Sequence, residues 1–200
     1  MLTQLLNQQL PDTYKDKTPQ FVAFLELLMH WNKTYNLTAI RDVHDMIPLH
    51  LLDCIAIIPH LMGPRILDVG SGAGFPGIPI AICCPEYDIT LVESSRKRVQ
   101  FLQTAKHSLN LAHVNIWHGR IEQYQPNAGF DTITSRAFSN LAQFIDCTRH
   151  ACAKNGQWCA MKGQVPHQEL SEIAYSYHIY PYDIPGQNVA RCCVVINHKE

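Results

Sequence analysis

The stretch Ile66-Leu67-Asp68-Val69-Gly70-Ser71-Gly72-Ala73-Gly74-Phe75-Pro76-Gly77-Ile78-Pro79 decides how the rest of the chain is interpreted. It lies where an apolar segment with strand character passes into a segment with helical character. In doubly wound α/β folds a ligand lies over such a turn, at the carboxyl end of the strand. Because glycine adopts positive φ and allows a close backbone approach without steric cost, Gly70, Gly72 and Gly74 predict a ligand-binding loop.

Two kinds of ligand fit this loop on spacing alone. The glycines from Gly72 onward match the G-x-G-x-x-G spacing of dinucleotide-binding turns, which makes a nicotinamide-dependent oxidoreductase one alternative. However, Pro76 removes one of the amides that would face a pyrophosphate. Asp68 precedes the glycines, and an acid at a strand end repels phosphate but suits a ligand that carries an ammonium and a sulfonium. The charge therefore favours S-adenosylmethionine over a nicotinamide cofactor.

Three further strand ends deliver candidate side chains to the same edge of the sheet. Glu93 ends the second strand, nineteen residues past Gly74, where a carboxylate can accept both ribose hydroxyls of either cofactor. Ile121 and Glu122 follow the third strand as an apolar residue beside a carboxylate, a pair suited to an adenine edge. Arg136 follows the fourth strand and is expected to border the reaction centre. These residues are candidate cofactor contacts.

From Pro64 onward, apolar strand patterns alternate with helical patterns. Such alternation predicts a parallel sheet covered by helices on both faces, which is the doubly wound, Rossmann-like α/β class. Two extended segments near the end, His178–Ile184 and Val189–Asn197, have no helix between them and predict an antiparallel hairpin. The predicted strands are Arg65–Val69, Asp88–Glu93, Val114–His118, Thr132–Ser135, Trp158–Lys162 and Arg191–Asn197, and the predicted helices span about residues 77–84, 95–109, 139–152 and 167–176.

The first sixty residues are predicted to be helical. Thr18 is a suitable N-cap with Pro19 at the first helical position, and apolar side chains then recur with a helical period from Phe21 to Tyr35. A second helix is predicted from about Asp42 to Ile58. Pro48 falls inside it, so this helix either begins late or bends there.

Length and composition limit the classes of protein to which the chain can belong. A chain of 200 residues suffices for one domain with a full hydrophobic core and a short appendage, and a composition of 46% hydrophobic and 16% charged residues is ordinary for a globular protein. No apolar run is long enough to span a bilayer, and the N-terminus lacks the features of a signal peptide. We therefore expect a cytoplasmic protein without a membrane partner.

The net charge and the cysteine pattern limit the kinds of partner and site that the chain is expected to have. A net charge of −1 gives no overall attraction to nucleic acid, so any RNA contact must be local. The densest basic cluster, Arg96-Lys97-Arg98, is either such a contact or a solvated helix start. The eight cysteines include two adjacent pairs and no C-x-x-C, a pattern that favours reduced, buried thiols over disulfides or a metal site.

Several short motifs extend beyond the glycine loop. They are Trp31-Asn32-Lys33, Asn36-Leu37-Thr38, His50-x-x-Asp53, the loop from Asp68 to Pro79, Lys97-Arg98-Val99-x-Phe101-Leu102, Ser135-Arg136-Ala137, Met161-Lys162-Gly163 and the strand from Arg191 to Ile196. With them the chain resembles, over essentially its whole length, the family of bacterial small-subunit rRNA methyltransferase G, also called glucose-inhibited division protein B. Two positions depart from the family pattern. Cys54 replaces a serine, and Leu49 replaces a basic residue, which removes a positive charge from an RNA face.

The resemblance implies a seven-stranded class I methyltransferase sheet, with a helical N-terminal extension at residues 1–62 packed on a methyltransferase domain at residues 63–200. It also implies methylation of N7 of a guanine, number 527 in the family's nomenclature, in 16S rRNA or the 30S ribosomal subunit. By position, Gly70, Phe75, Ile121, Glu122 and Arg136 match the family's cofactor contacts. We expect a monomer that uses S-adenosylmethionine and no metal.

That reaction assigns few tasks to side chains. N7 of guanine carries an exposed lone pair and attacks without first losing a proton, so no general base is expected. The enzyme must align the reacting atoms and exclude water. Donors near O6 would fix the base, and Arg120, Arg136 and Lys162 are the candidates for this catalytic role. A non-catalytic module that binds rRNA or the ribosome remains the alternative from another class.

Overall fold

A computed structural model describes residues 1–136, 138 and 140–198 of the chain. Ala137, part of one motif quoted above, and the start of the helix predicted at 139 lie outside the described residues. The strands are β1 (Arg65–Val69), β2 (Asp88–Glu93), β3 (Val114–His118), β4 (Phe130–Ser135), β5 (Cys152–Lys162), β6 (Tyr177–Tyr182) and β7 (Arg191–Asn197). The helices are α1 (Leu2–Gln9), α2 (Thr18–Tyr35), α3 (Val43–Met46), α4 (Asp53–Ile55), α5 (Gly77–Cys83), α6 (Arg96–Ser108), α7 (Leu141–Thr148) and α8 (His167–Ser171).

The described strands form one seven-stranded sheet in the order β3-β2-β1-β4-β5-β7-β6. β1 to β5 pair in parallel, whereas β7 is antiparallel to both β5 and β6. This arrangement confirms the predicted doubly wound α/β class with a terminal antiparallel hairpin. The chain builds outward from β1 in both directions, so the crevice at the carboxyl end of β1 is the switch point where doubly wound folds bind ligands.

The N-terminal helices and the sheet share an apolar core. Phe24 of α2 is fully buried, and its ring lies 5.4 Å from that of Phe75 in the glycine loop and 6.3 Å from that of Phe101 in α6. Burying one such side chain stabilises the fold by about 1.5–3 kcal/mol. On the opposite face of the sheet, Trp158 and Phe144 are buried in a second cluster that includes α7. Through the contact between Phe24 and Phe75, α2 packs against the glycine loop.

The start of α2 differs from the prediction. Thr18 is the first residue of the helix rather than its N-cap, and its hydroxyl donates a hydrogen bond of 2.7 Å to Asn7 in α1. The hydroxyl joins two helices instead of satisfying the free amides at the start of one. At the other end, Asn36 has the left-handed φ of 48° that is common after a helix.

Pro48 is accommodated by a widened helical turn. Between α3 and α4 the segment Ile47–Leu52 is π-helical. Proline has no N–H to donate to the preceding turn, so the α-helical hydrogen bond is missing at this point. The predicted helix thus does not begin late: it starts at Val43 and continues past Pro48 through this wider turn. Such turns are rare and occur often at functional sites.

No described helix has the length and apolarity needed to cross a membrane.

All eight cysteines have free thiols, and seven of them are buried. Burial raises the pKa of Cys84 to about 11 and that of Cys152 to about 12, so these thiols stay protonated near neutral pH. The exception to burial is Cys147, which is half-buried.

Candidate active site

The glycine loop adopts the backbone that its sequence requires. Gly70, Gly72 and Gly74 have φ values of 71°, 59° and 88°, a region that side chains with a Cβ rarely occupy. The amides of Gly70 and Ser71 both donate to the Val92 carbonyl, at 2.9 and 3.2 Å. These bonds fasten the loop to the end of β2.

Asp68 lies beneath the loop rather than on its surface. The side chain is fully buried, and Oδ2 accepts a 3.0 Å hydrogen bond from the Gly77 amide at the start of α5. The other carboxylate oxygen, Oδ1, has no hydrogen-bond partner among the described residues. Burial raises the pKa of Asp68 to about 7. A Cβ on Gly77 would overlap Leu91 and approach Asp68 Oδ2, so this glycine lets helix and carboxylate meet.

Glu93 stabilises the glycine loop by accepting a hydrogen bond from one of its backbone amides. It is 4% exposed, its Oε2 accepts the Gly72 amide at 2.9 Å, and its Oε1 accepts the Ser95 amide at 2.7 Å. Arg98 lies 3.8 Å from Oε2. Each carboxylate oxygen can accept more than one hydrogen bond, so these contacts leave acceptor capacity. The sequence gives no sign of this bracing role, because it runs through backbone amides.

Two cavities flank Gly70. The first, the strand-end cavity, has a volume of about 330 Å³ and lies over the ends of β1, β2 and β3. It is lined by Val69, Gly70, Val92, Ser94, Gly119, Arg120, Ile121, Glu122, Phe138, Gln143 and Cys147. The second, the loop cavity, has a volume of about 230 Å³ and is lined by Leu37, Thr38, Gly70, Ser71, Gly72, Ala73, Phe75, Arg98 and Arg136.

A third space, the basic cavity, has a volume of about 390 Å³. The π-helical segment, the residue after β4 and the ends of β5 and β7 supply most of its lining. The lining residues are Ile40, Leu49, His50, Asp53, Arg136, Met161, Lys162, Gly163 and Arg191. Arg136 lines both the loop cavity and the basic cavity, and therefore forms their common wall.

The head of Arg136 is held from several sides. Its guanidinium lies over the Phe75 ring at 5.0 Å, a cation–π distance. Nη1 lies 3.2 Å from His50 Nδ1 and 3.4 Å from the Leu49 carbonyl, to which it donates. The Asp53 carboxylate is 3.8 Å away. Three of these four partners come from the N-terminal sixty residues.

Asp53 ties this wall to the C-terminal hairpin. The side chain is buried, and its Oδ1 accepts a 2.9 Å hydrogen bond from the Tyr182 hydroxyl and lies 3.3 Å from Arg191 Nε. Burial raises the pKa of Asp53, while Tyr182 and the two arginines act in the opposite direction. The motif His50-x-x-Asp53 has no evident role in the sequence alone. The structure gives both residues contacts to Arg136.

The three residues expected to orient a base do not lie together. Arg136 and Lys162 line the basic cavity, whereas Arg120 is exposed and lines the strand-end cavity. Lys162 Nζ is paired with Glu169 of α8 at 2.8 Å and donates to the Phe138 carbonyl at 3.3 Å. The cofactor candidates are better grouped, since Gly70, Ile121 and Glu122 line one cavity and Gly70, Phe75 and Arg136 line the other. No set of three or more His, Cys, Asp or Glu side chains among the described residues could hold a metal ion.

Solved structures support the fold. The chain matches an O-methyltransferase from Bacillus cereus in complex with SAH with a TM-score of 0.67 and 15% identity, over 98% of this chain and 96% of that one. It matches a SAM-dependent methyltransferase from Aquifex aeolicus with a TM-score of 0.61 and 13% identity, over 82% and 97% of the two chains. At such low identities the likeness establishes the architecture alone.

Sequence comparison is more specific. A relative from Legionella pneumophila, named ribosomal RNA small subunit methyltransferase G, is 49% identical over 88% of this chain and 84% of its own. Relatives with the same name from Methylobacillus flagellatus and Photobacterium profundum are 44% and 38% identical, over 94% and 100% of this chain and 93% and 98% of their own. The family model described as rRNA small subunit methyltransferase G matches residues 17–182. The oxidoreductase alternative gains no support from these matches, and the chain belongs to the rRNA small subunit methyltransferase G family.

Proposed function

We propose that this protein transfers a methyl group from S-adenosylmethionine to N7 of a guanine in 16S rRNA, the guanine numbered 527 in the family's nomenclature. Membership of an rRNA methyltransferase family supports the reaction class. The observation that carries the proposal is the position of Arg136, which separates a glycine-lined cavity from a second cavity edged by cations. Because Arg136 borders both cavities, a cofactor in one and a base in the other would lie next to each other, as direct methyl transfer requires.

The residues around Gly70 fit this cofactor. The backbone at Gly72 is open, because a Cβ there would meet only the Gly70 carbonyl, at 3.8 Å. The strand-end and loop cavities together have a size typical of small-molecule sites. The unpartnered Asp68 Oδ1 lies below the loop, and a cationic ligand above it would favour the ionised carboxylate. When bound, S-adenosylmethionine supplies an activated methyl group on a sulfonium.

Each candidate residue then has a task in cofactor binding. Gly70 and Gly72 allow the backbone to approach the ligand, Gly74 leaves room for the Ile78 side chain of α5 to pack against the loop, and Asp68 fixes the start of α5. In the strand-end cavity, Ile121 would cover the adenine face and Glu122 would accept from its amino group. Glu93 would accept the ribose hydroxyls while holding the loop. Phe75 and Arg136 would close the reactive end. The proposed cofactor site thus consists of Asp68, Gly70, Gly72, Gly74, Phe75, Glu93, Ile121, Glu122 and Arg136.

The basic cavity suits a guanine. Leu49 and Met161 offer apolar contact to the faces of the ring, while Arg136, Lys162 and Arg191 place cations around it. Guanine presents two acceptors, N7 and O6, on one edge, and an arginine head donates well to O6. The attacking N7 needs no base, so the task of these residues is to align the ring and exclude water. Arg120 would act from the strand-end side and not on the base.

The remaining expectations follow from the substrate. A 16S rRNA substrate, free or in the 30S subunit, places the reaction in the cytoplasm of a bacterium. The N-terminal extension, residues 1–62, would serve the RNA side of the site, because it supplies His50 and Asp53 to the basic cavity. The domain at residues 63–200 would bind the cofactor. We expect one chain to suffice, since a single chain supplies every candidate residue.

Mass-spectrometric mapping of 16S rRNA tests the proposal. RNA from a strain that lacks the gene should have an unmethylated guanine at the proposed position, and the wild-type gene should restore the methyl group while Arg136→Ala does not. Titration calorimetry of the purified protein should detect S-adenosylmethionine and not NAD. Cofactor binding without any RNA methylation would favour the non-catalytic module. Tight NAD binding would favour the oxidoreductase.

A further inference from the structure

We propose that His50 is a positioning residue that holds the head of Arg136 in place through the lone pair on its Nδ1 atom. The inference rests on the proposed function, because it takes Arg136 to be the wall between cofactor and base. His50 itself touches neither reacting group in this scheme. Its effect on the reaction passes through Arg136.

The contacts of His50 leave its ring one orientation. The side chain is 5% exposed, and its ring stacks on Phe75 with a centroid distance of 4.4 Å and an interplanar angle of 24°. Nε2 lies 2.8 Å from the Thr38 hydroxyl oxygen. Nδ1 lies 3.2 Å from Arg136 Nη1. One ring thus joins the N-terminal segment, the glycine loop and the residue after β4.

Hydrogen-bond chemistry fixes the protonation state of the ring. A guanidinium has only donors, so Nδ1 must be the acceptor and carry no proton. Neutral imidazole then bears its proton on Nε2, which donates to the Thr38 hydroxyl oxygen. That oxygen also accepts the Ile40 amide at 3.2 Å. Burial and the Arg136 charge lower the pKa of His50 to about 3, against the opposing effect of a hydrogen bond to the Leu49 backbone, and this agrees with a neutral ring.

The bond to His50 is the shortest described polar contact of the Arg136 head. The Leu49 carbonyl and the Asp53 carboxylate are further away, at 3.4 and 3.8 Å. The Phe75 ring attracts the guanidinium without fixing its rotation in the plane. Without the Nδ1 acceptor the head would still be attracted to the same place, but its donors would no longer be directed.

The competing explanation is packing alone, in which the His50 ring only fills space against Phe75. Two substitutions separate these explanations, because asparagine and glutamine place their amides at different ring-nitrogen positions. In His50→Asn an amide oxygen lies near the position of Nδ1 and can accept from Arg136. In His50→Gln the amide lies near the position of Nε2, so it can contact Thr38 but offers Arg136 no acceptor. Both variants remove the aromatic ring equally.

The test is single-turnover methylation of 30S subunits at saturating S-adenosylmethionine and RNA. We expect His50→Gln to lower the rate by about ten- to a hundredfold, since small misalignments are costly, and His50→Asn to stay within a few-fold of wild type. Combining His50→Gln with Arg136→Lys should add little further loss, because both remove the same directed contact. His198→Gln, at a buried histidine at the end of β7, is the control for histidine loss as such. Equal losses in His50→Asn and His50→Gln, with equal melting temperatures, would overturn the proposal.

A second measurement does not depend on activity. The ¹⁵N chemical shifts of the His50 ring in the wild-type protein report which nitrogen bears the proton. A protonated Nε2 and bare Nδ1 support the proposal, and a proton on Nδ1 refutes it, even if neither variant folds. If wild-type protein methylates neither 30S subunits nor free 16S rRNA, the proposed function fails, while the ring shifts still decide whether His50 accepts from Arg136.

Discussion

The two sides of Arg136 are built in different ways. On the loop side, one continuous stretch from Asp68 to Gly77 supplies most of the structure, and its contacts run through backbone amides that bond to Val92 and Glu93. On the side of the basic cavity, side chains arrive from five separate parts of the chain, and the N-terminal helices contribute several of them. The structure of the loop side is therefore set by backbone conformation, and that of the basic cavity by contacts between charged side chains.

This difference predicts different sensitivities. Substitutions that add a side chain should damage the loop side, whereas substitutions that preserve charge should be tolerated there. On the side of the basic cavity, substitutions that keep only the charge should be damaging, because the shape and the hydrogen-bond donors of each charged side chain matter. The following variants test the contrast.

The largest effect is expected for Gly70→Val. Gly70 has a φ of 71° and lines both the strand-end and the loop cavity, so a valine there is strained and occupies space needed by the ligand. We expect measurable S-adenosylmethionine binding to be lost in calorimetry. Gly186→Val is the matched control, because Gly186 has a φ of 75° and a Cβ there would meet no neighbour within 4 Å. Equal cofactor affinity in the two variants would contradict the cavity assignment.

Arg136→Lys should have the next largest effect. Lysine keeps the charge but loses the planar head with several donors. Misalignment of the reacting atoms by about 1 Å can cost on the order of a hundredfold in rate, so we expect a loss of that size in single-turnover methylation. Arg120→Lys, on the strand-end side, should lose much less. A wild-type rate for Arg136→Lys would reduce this residue to a general positive charge.

Glu93 tests how far the loop side depends on acceptors. Glu93→Ala removes two charge-assisted hydrogen bonds to amides, roughly 1.5–3 kcal/mol each, together with the acceptor proposed for the ribose. Cofactor affinity should fall by about tenfold or more. Glu93→Gln keeps one oxygen acceptor and should lose less. If Glu93→Ala binds as tightly as wild type, both the bracing and the ribose assignment are wrong.

Asp68 makes the stability of the fold depend on pH. Its folded-state pKa of about 7 lies above the reference value of 3.8, so between these values the native state binds a proton that the unfolded state has lost. This contribution is therefore fully present below about pH 4 and declines as the pH rises toward 7. Asp68→Asn cannot ionise, and should gain stability relative to wild type between pH 5 and pH 8, by up to about 1.4 kcal/mol for each unit of pKa difference.

Urea unfolding of both proteins at pH 5 and at pH 8 measures this gain. The comparison of the two proteins removes contributions from other titrating groups. A difference in unfolding free energy that is the same at pH 5 and pH 8 would mean that Asp68 has an ordinary pKa.

The smallest effect concerns the basic cluster at the start of α6. Arg96 and Lys97 are exposed and line none of the three cavities, while Arg98 lines the loop cavity. Arg96→Ala and Lys97→Ala should leave cofactor affinity unchanged. Each phosphate contact that a substitution removes should flatten the dependence of log affinity for RNA on log salt by about one unit. Lys154→Ala, an exposed cation near the start of β5, is the control. An unchanged slope would place the RNA path elsewhere.

The sequence allowed the fold to be predicted where burial and turns mark an element clearly. The bounds of β1, β2, β3 and β7 agree with the predictions, since each is a short apolar run bordered by turn residues. β5 begins at Cys152, six residues before the predicted Trp158. The added residues include Lys154 and Asn155, with a φ of 72° at Asn155, which no strand pattern indicates. Cys152 pairs with Phe130 and Gln157 with Thr132 of β4, so these residues lie in an irregularity between two paired positions.

The residues of the candidate site also differ in how well the sequence alone predicts their roles. The glycine loop is recognisable because its residues are adjacent in sequence and each glycine has a conformational reason. The roles of His50 and Asp53 are not recognisable, because both lie in helical segments where a buried position resembles core. Only the fold brings them to Arg136. The sequence likewise does not show that Arg120 lies apart from Arg136 and Lys162, since strand ends on the two sides of β1 face different cavities.

The single half-buried thiol gives the protein a natural footprinting reporter. Cys147 lines the strand-end cavity, while the other seven cysteines are buried. A small alkylating reagent at mildly alkaline pH should therefore reach Cys147 first, although burial and the neighbouring Glu122 raise its pKa. Any ligand in that cavity would shield the sulfur and slow its modification, whereas a base in the basic cavity would leave the rate unchanged. Occupancy of the strand-end cavity could thus be followed in the unaltered chain without interference from a ligand in the basic cavity.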